Sequence, residues 1–231
     1  MRSAFFPFAL LTALSLAACG PTLTRGPTGW HDSAFPFTVA PLDDGALVPK
    51  GWKLDAYTPK AQGFSRDEPD GVGGDLRLKR VQDDGALVVA HYELEDDDRA
   101  KLPEVFVERW LDRVVVNPKD DDESANFKDV IPKVETTATG AVGWRPVTAT
   151  VRSGHTTQVD ARQTFSVPGC DAAEMTVTIA PPGSPPDRRL YVAVVKPKAG
   201  KDYAVVVYGN TPTMFDGGLE DARSLAHRLR F

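Results

Sequence analysis

The chain has 231 residues, of which 42% are hydrophobic and 26% charged; 27 Lys and Arg stand against 32 Asp and Glu, a formal net charge of −5. That acidic balance argues against nucleic acid as a partner, because phosphate backbones reward basic surfaces. The length fits one domain of moderate size, and no run beyond residue 19 is long and apolar enough to cross a bilayer.

The chain opens with a positive charge at Arg2 and a short apolar run over residues 5–16. Such a run is too short to span a membrane and has the form of a secretory signal. It ends in Leu16, Ala17, Ala18, Cys19 and Gly20, which resembles the lipobox of bacterial lipoproteins. The resemblance implies cleavage between Ala18 and Cys19, a thioether from Cys19 to diacylglycerol, and acylation of the new amino terminus by a palmitate-type chain. One acyl chain holds a protein only marginally, at roughly 0.8 kcal/mol per buried methylene, whereas several on one cysteine make a lasting attachment. Gly20, in place of an aspartate after the cysteine, implies by the same analogy sorting to the outer membrane, facing the periplasm. Cleavage removes Arg2 alone among the charged side chains, so the net charge moves from −5 to −6.

Residues 19–34 carry Gly20, Pro21, Gly26, Pro27 and Gly29 with no periodicity, and read as a flexible tether behind the lipidated cysteine. A coil of about fifteen residues reaches roughly 20 Å, so the domain works close to the membrane. The expected organisation is therefore a signal peptide at 1–18, lipidated cysteine and tether at 19–34, and a single domain at 35–231.

From Phe35 the pattern is mostly that of strands. Phe35, Phe37 and Val39 alternate with small or polar residues, and Trp52, Leu54 and Ala56 alternate with Lys53 and Asp55, the period of a half-buried strand. Residues 75–81 and 86–94 flank an Asp84-Gly85 pair and predict a hairpin. The hexapeptide at 43–48 recurs identically at 83–88, but two copies with unlike flanks make no repeat architecture, so shared turn chemistry or chance accounts for it.

A helix is predicted over 103–115, with Pro103 in its first turn and Val107, Trp110, Leu111 and Val114 on one apolar face. After an acid-rich connection at 120–123, strand-like segments follow at 147–151, 158–167 and 174–180, then a loop at 181–189. Residues 190–195 and 203–208, dense in Val, Tyr and Ala, predict a central hairpin around Gly200. The chain closes on a helix striped by Leu219, Ala222, Leu225, Ala226 and Leu229, with Gly217 and Gly218 at its start.

This order of elements resembles the PsbP-type fold, a family that includes the extrinsic photosystem II subunit and bacterial DcrB-like lipoproteins. The residues that carry the resemblance are a first strand of Phe37, Thr38 and Val39, then Pro49, Lys50, Gly51 and Trp52. A mid-chain helix after a hairpin follows, and a closing strand pair leads through Thr211, Pro212 and Phe215 into the helix to Phe231. The resemblance implies an α+β fold in which an antiparallel sheet lies between helices, an α/β/α sandwich. Residues 42–48 and the strand material between the mid-chain helix and the last hairpin depart from that pattern. The family has no shared catalytic constellation, so no site residue is carried over.

Candidate chemistry is sparse. Once Cys19 is acylated, Cys170 is the remaining cysteine, set after Pro168 and Gly169 in a turn; it reads as structural, with a nucleophile or a link between chains as alternatives. His31, His91, His155 and His227 never stand at a metal-binding spacing, and His155, after Ser153 and Gly154, is an exposed turn residue that could serve as a base. No serine lies in a nucleophile elbow.

A calcium loop starting at Asp96 and Asp98 would put Ala100 and Val107 at ligand positions, and Asp120, Asp121 and Asp122 lack the required glycine and glutamate. Both runs read as solvated loop charge. Gly71, Gly73 and Gly74 are followed by Leu76 and do not make a dinucleotide fingerprint. Lys196, Lys198 and Lys201 share one hairpin loop and read as surface charge, with anionic head groups as an alternative partner. Trp30, Trp52, Trp110 and Trp144 read as core, with a ligand cleft as the other option.

The expectation is a lipid-anchored envelope protein of non-catalytic role, without cofactor or metal, that binds a protein partner of the envelope or a small apolar ligand. An envelope hydrolase or thiol-dependent enzyme using Cys170 or His155 is the alternative, and a purely structural assembly factor the third reading.

Overall fold

The computed structural model describes residues 24–31, 35–54, 76–111, 156–181 and 183–231. Its frame is a seven-stranded antiparallel sheet built from β4 (Trp52–Leu54), β5 (Leu76–Arg80), β6 (Ala86–Glu93), β7 (Thr156–Thr164), β8 (Cys170–Ala180), β9 (Arg188–Pro197) and β10 (Asp202–Asn210). Their spatial order is β4-β5-β6-β10-β9-β8-β7. The predicted hairpins are the β5–β6 pair, with Leu78 opposite Leu87, and the β9–β10 pair, with Val192 opposite Val207.

β9 and β10 lie at the middle of the sheet and are buried on both faces, which is why they read as unbroken apolar runs rather than as alternation. On one face, Val192, Val194, Val205, Val207, Met175 and Val177 meet α2 (Pro103–Leu111) through Phe106, Val107, Trp110 and Leu111. Each such buried side chain contributes roughly 1.5–3 kcal/mol of transfer free energy. On the other face, Tyr191, Val195, Val206 and Tyr208 meet α3 (Asp216–His227) through Ala222, Leu225 and Ala226. Helices thus cover both faces of an antiparallel sheet, the α+β sandwich expected. A short α1 (Asp96–Arg99) precedes α2.

A second, four-stranded sheet stands against the α3 side of the core, in the order β1 (Thr24–Arg25), β2 (Trp30–His31), β3 (Thr38–Val39), β11 (Leu229–Arg230). Part of the segment expected to be an irregular tether is therefore paired structure. Arg25 faces Trp30, Trp30 faces Val39, and Val39 faces Leu229. Two-residue strands leave no periodic trace, and their stability comes from burying Trp30, Phe37 and Val39 on the core rather than from local preference.

Other differences have equally local causes. Leu54 was expected to share a buried face with Trp52 but is 45% exposed, because β4 is an edge strand of three residues. Leu229 is buried as expected, but in β11, because α3 ends at His227. Gly218 lies within the first turn of α3, and a β-carbon there would fall 2.5 Å from the Tyr208 hydroxyl oxygen. The repeated hexapeptide makes a turn each time with its register displaced by one residue. Asp44 Oδ1 accepts the Ala46 N–H in the first copy, and Asp83 Oδ1 accepts the Gly85 N–H in the second. The inserted residues 42–48 are tied to the end of α3 by the Arg228 guanidinium, which donates to Ala40 O at 2.7 Å and Leu47 O at 3.2 Å. The predicted strand at 147–151 and Val114 of the helix face lie outside the described residues.

Candidate functional site

The small sheet shapes a cleft among the described residues. β2 ends at His31, the chain returns through Phe35 and Phe37 into β3, and β11 brings Arg230 and Phe231 alongside. The Phe35 and Phe37 rings stack at 5.2 Å between centroids, and Phe231 tilts against Phe37 at 6.2 Å. Phe37 is rooted in the core at 2% exposure, whereas Phe231 is 43% exposed and forms the open lip. Together these rings, with Pro36, Thr38, His31 and Arg230, border a volume of about 620 Å³. That is the size range of small-molecule sites, which are mostly apolar with a few placed polar groups. Arg230 is held in place by donating from Nη1 to His227 O at 2.8 Å and Leu229 O at 2.6 Å. The lining offers ring faces and a cationic edge, and it carries no cysteine or serine that could act as a nucleophile.

A second polar constellation lies beneath α3. Glu174, in β8, is 1% exposed. Its carboxylate accepts from the Tyr191 hydroxyl at 2.7 Å, Gln163 Nε2 at 2.6 Å and Arg223 Nε at 3.1 Å, with His227 Nε2 at 3.3 Å. The His227 ring also stacks on Phe165 at 4.2 Å. Burial, with the Glu174 carboxylate second, holds the Tyr191 phenol well above its ordinary value, so it stays neutral and donates. With its oxygens engaged by four donors and no exposed face, Glu174 fastens α3 to β7, β8 and β9, and it has no open edge for a substrate.

The sequence-predicted residues are scattered. Cys170 opens β8; burial first and Asp171 second push its thiol up, and Sγ has Pro168 O at 3.6 Å as its hydrogen-bond partner. A thiol so placed is a poor nucleophile at neutral pH. His31 borders the cleft, His227 sits at Glu174, and His91 lies in β6, so the structure does not bring these histidines together. Ala18, Cys19, His155, Trp144, the glycines at 71–74 and the aspartates at 120–122 lie outside the described residues. Trp52 and Trp110 are buried in the core and Trp30 packs against it; the Trp52 indole donates to Asp221 Oδ2 at 2.7 Å.

Two expectations are corrected. Lys196 is no surface charge of a hairpin loop: it is 3% exposed, and its ammonium donates to Lys101 O at 2.7 Å, Arg99 O at 3.0 Å and Asp98 O at 3.5 Å. The carbonyls at the end of α1 need donors, and the ammonium from the strand supplies them. Lys198 remains exposed, near Asp171 at 3.9 Å. Within the Asp96 to Asp98 run, Asp98 is buried and ion-paired with Lys101 and with Arg109 at 3.2 Å, so that residue is structural rather than solvated. Among the described residues no group of three His, Cys, Asp or Glu is placed to hold a metal, and no helix is long and apolar enough to cross a membrane.

Sequence reasoning missed both the cleft and Glu174. The cleft joins residues near the two ends of the described chain, a pairing invisible without the register of β3 and β11. Glu174 did leave a signal, a carboxylate set among the apolar side chains of Ala172, Ala173 and Met175.

No family model matches the chain, and no curated protein matches it. Among solved structures it is similar to cyanobacterial PsbP (CyanoP) from Synechocystis sp. PCC 6803, at 12% identity over 89% of this chain and 99% of that chain, with a TM-score of 0.48. It is also similar to LpqN of Mycobacterium tuberculosis, which is involved in cell envelope biogenesis, at 11% identity over 85% of this chain and 86% of that chain, with a TM-score of 0.42. Neither likeness carries a residue role to this chain.

Proposed function

We propose that this is a lipid-anchored cell-envelope protein with a non-catalytic binding role, and that the cleft between β2, β3 and β11 takes a small apolar ligand. In this reading the sequence around Cys19 supplies the anchor, at an outer membrane and facing the periplasm, and the folded domain supplies the site. The observation that carries it is the aromatic cleft itself, open at Phe231 and rooted at Phe37. The surroundings of Cys170 do not favour the alternative of a thiol-dependent enzyme, since burial and Asp171 raise the thiol by more than Arg230 and Lys198 lower it, and no histidine of the described residues bonds to it. The buried Glu174 set gives no support to a hydrolase either, because the groups that would act as base and nucleophile are spent on one another.

Titration with a neutral apolar fluorophore such as N-phenyl-1-naphthylamine tests the binding role. The expected result is saturable binding that weakens about tenfold in Phe231→Asp, since half of a phenylalanine's burial is roughly 1–1.5 kcal/mol. Melting should fall by only a few degrees, because the ring is 43% exposed. Dye binding that is unaffected by the substitution, or a hydrolytic turnover lost in Cys170→Ala or His155→Ala, would overturn the proposal.

A further inference from the structure

The cleft has a charge and a place that narrow its ligand. Of its lining residues, His31 and Arg230 carry basic side chains and none carries an acidic one, in a chain whose net charge is −5. The backbone carbonyls engage Arg230 through Nη1 alone, which leaves Nη2 and Nε of the guanidinium to other acceptors. A guanidinium pinned by its own backbone, on a lining that also carries aromatic rings, is suited to a carboxylate or phosphate, which it can meet with two parallel hydrogen bonds.

The position follows from the pairing of the small sheet. Thr24, the first described residue, stands directly across from His31 and lies five positions after Cys19. Five residues span at most about 18 Å, so the tether beyond the paired region is much shorter than the whole stretch 19–34 would be. An acylated Cys19 then holds the cleft beside the bilayer surface, where the abundant small apolar molecules are amphiphiles with a polar head.

We infer that the cleft binds a single-chain anionic amphiphile drawn from the bilayer, its acid group on Arg230 with His31 beside it and its chain along Phe35, Phe37 and Phe231. This rests on the reading of the cleft as an apolar binding site. A volume of about 620 Å³ suits one chain and its head rather than a folded partner.

Calorimetric titration of the chain from residue 19 with Cys19→Ser, which has no acyl group of its own to compete, tests this with three probes of one chain length: decanoate, decanol and decyltrimethylammonium. Decanoate is expected to bind about tenfold tighter than decanol, with the cationic probe weakest. Arg230→Gln should bring decanoate down to the level of decanol, and Arg230→Lys, which keeps the charge if the glutamine variant folds poorly, should retain most of the preference. Equal binding of decanoate and decanol, or a preference that survives Arg230→Gln, overturns the assignment of the acid group while leaving an apolar cleft. Absence of binding by all three overturns this inference together with the reading it rests on.

Discussion

Replacing Glu174 by alanine is expected to lower the unfolding free energy by about 1–3 kcal/mol, the scale for leaving a buried donor without its acceptor. The Tyr191 hydroxyl has no exposure and would lose its acceptor, and Gln163 would lose its own; Arg223 can fall back on Glu220, at 2.7 Å, on the wet side of α3. The cost comes from orphaned donors more than from lost attraction, so Glu174→Ala combined with Tyr191→Phe should recover part of it. His227→Ala should cost about 1 kcal/mol, because that side chain is 42% exposed and its pairing with Glu174 is partly screened. The network also sets an alkaline limit. Tyr191 is held neutral in the fold with its value raised above 10.0, while the unfolded phenol releases its proton near 10.0. The unfolded state then binds fewer protons, so this stability is complete below pH 10 and declines as pH rises beyond it. Urea unfolding of the four proteins at neutral pH, and of the parent across the alkaline range, checks both statements.

Lys196→Met is expected to cost about 1.5–3 kcal/mol, the value of hydrogen bonds from a charged donor. The ammonium also lies 5.7 Å from the Phe106 ring, so the substitution removes a cation from an aromatic face as well. Its local consequence is sharper than its global one. A helix of four residues has no stability of its own, and α1 is held by Lys196 from below and by Asp98 pairing with Lys101 and Arg109. Hydrogen exchange should show the amides of α1 and the start of α2 losing protection before the strands do, with the melting temperature down by several degrees. An unchanged exchange pattern in α1 would show that this cation is not what fastens it.

These two side chains also mark where the sequence was legible and where it was not. The β9–β10 hairpin was legible because a strand buried on both faces has to be apolar throughout, and Leu190, Val192, Val194, Val205 and Val207 leave no other reading. The faces of α2 and α3 followed from the spacing of Val107, Trp110 and Leu111 and of Ala222, Leu225 and Ala226. Lys196 was misread because a buried lysine and an exposed one have the same neighbours in sequence; the carbonyls that neutralise it come from residues 98–101, a contact fixed only by tertiary packing. The cleft was hidden for the same reason. Thr24, Trp30 and Val39 contribute to strands too short for periodicity, and Gly29, at φ +148° and with Val39 O where a β-carbon would fall, shows how closely those strands approach. A stretch rich in glycine and proline can be a tether or a tightly packed edge, and composition alone favours the former.

The account as a whole turns on Cys19 carrying lipid, since only then is the cleft held within about 18 Å of extended chain from a bilayer. Intact-mass spectrometry of the natural protein tests it most directly. The predicted result is a membrane-extracted species that begins at Cys19 and weighs more than residues 19–231 by a diacylglyceryl group and one further acyl chain. A species of unmodified mass, or one recovered in the soluble fraction without detergent, would contradict it.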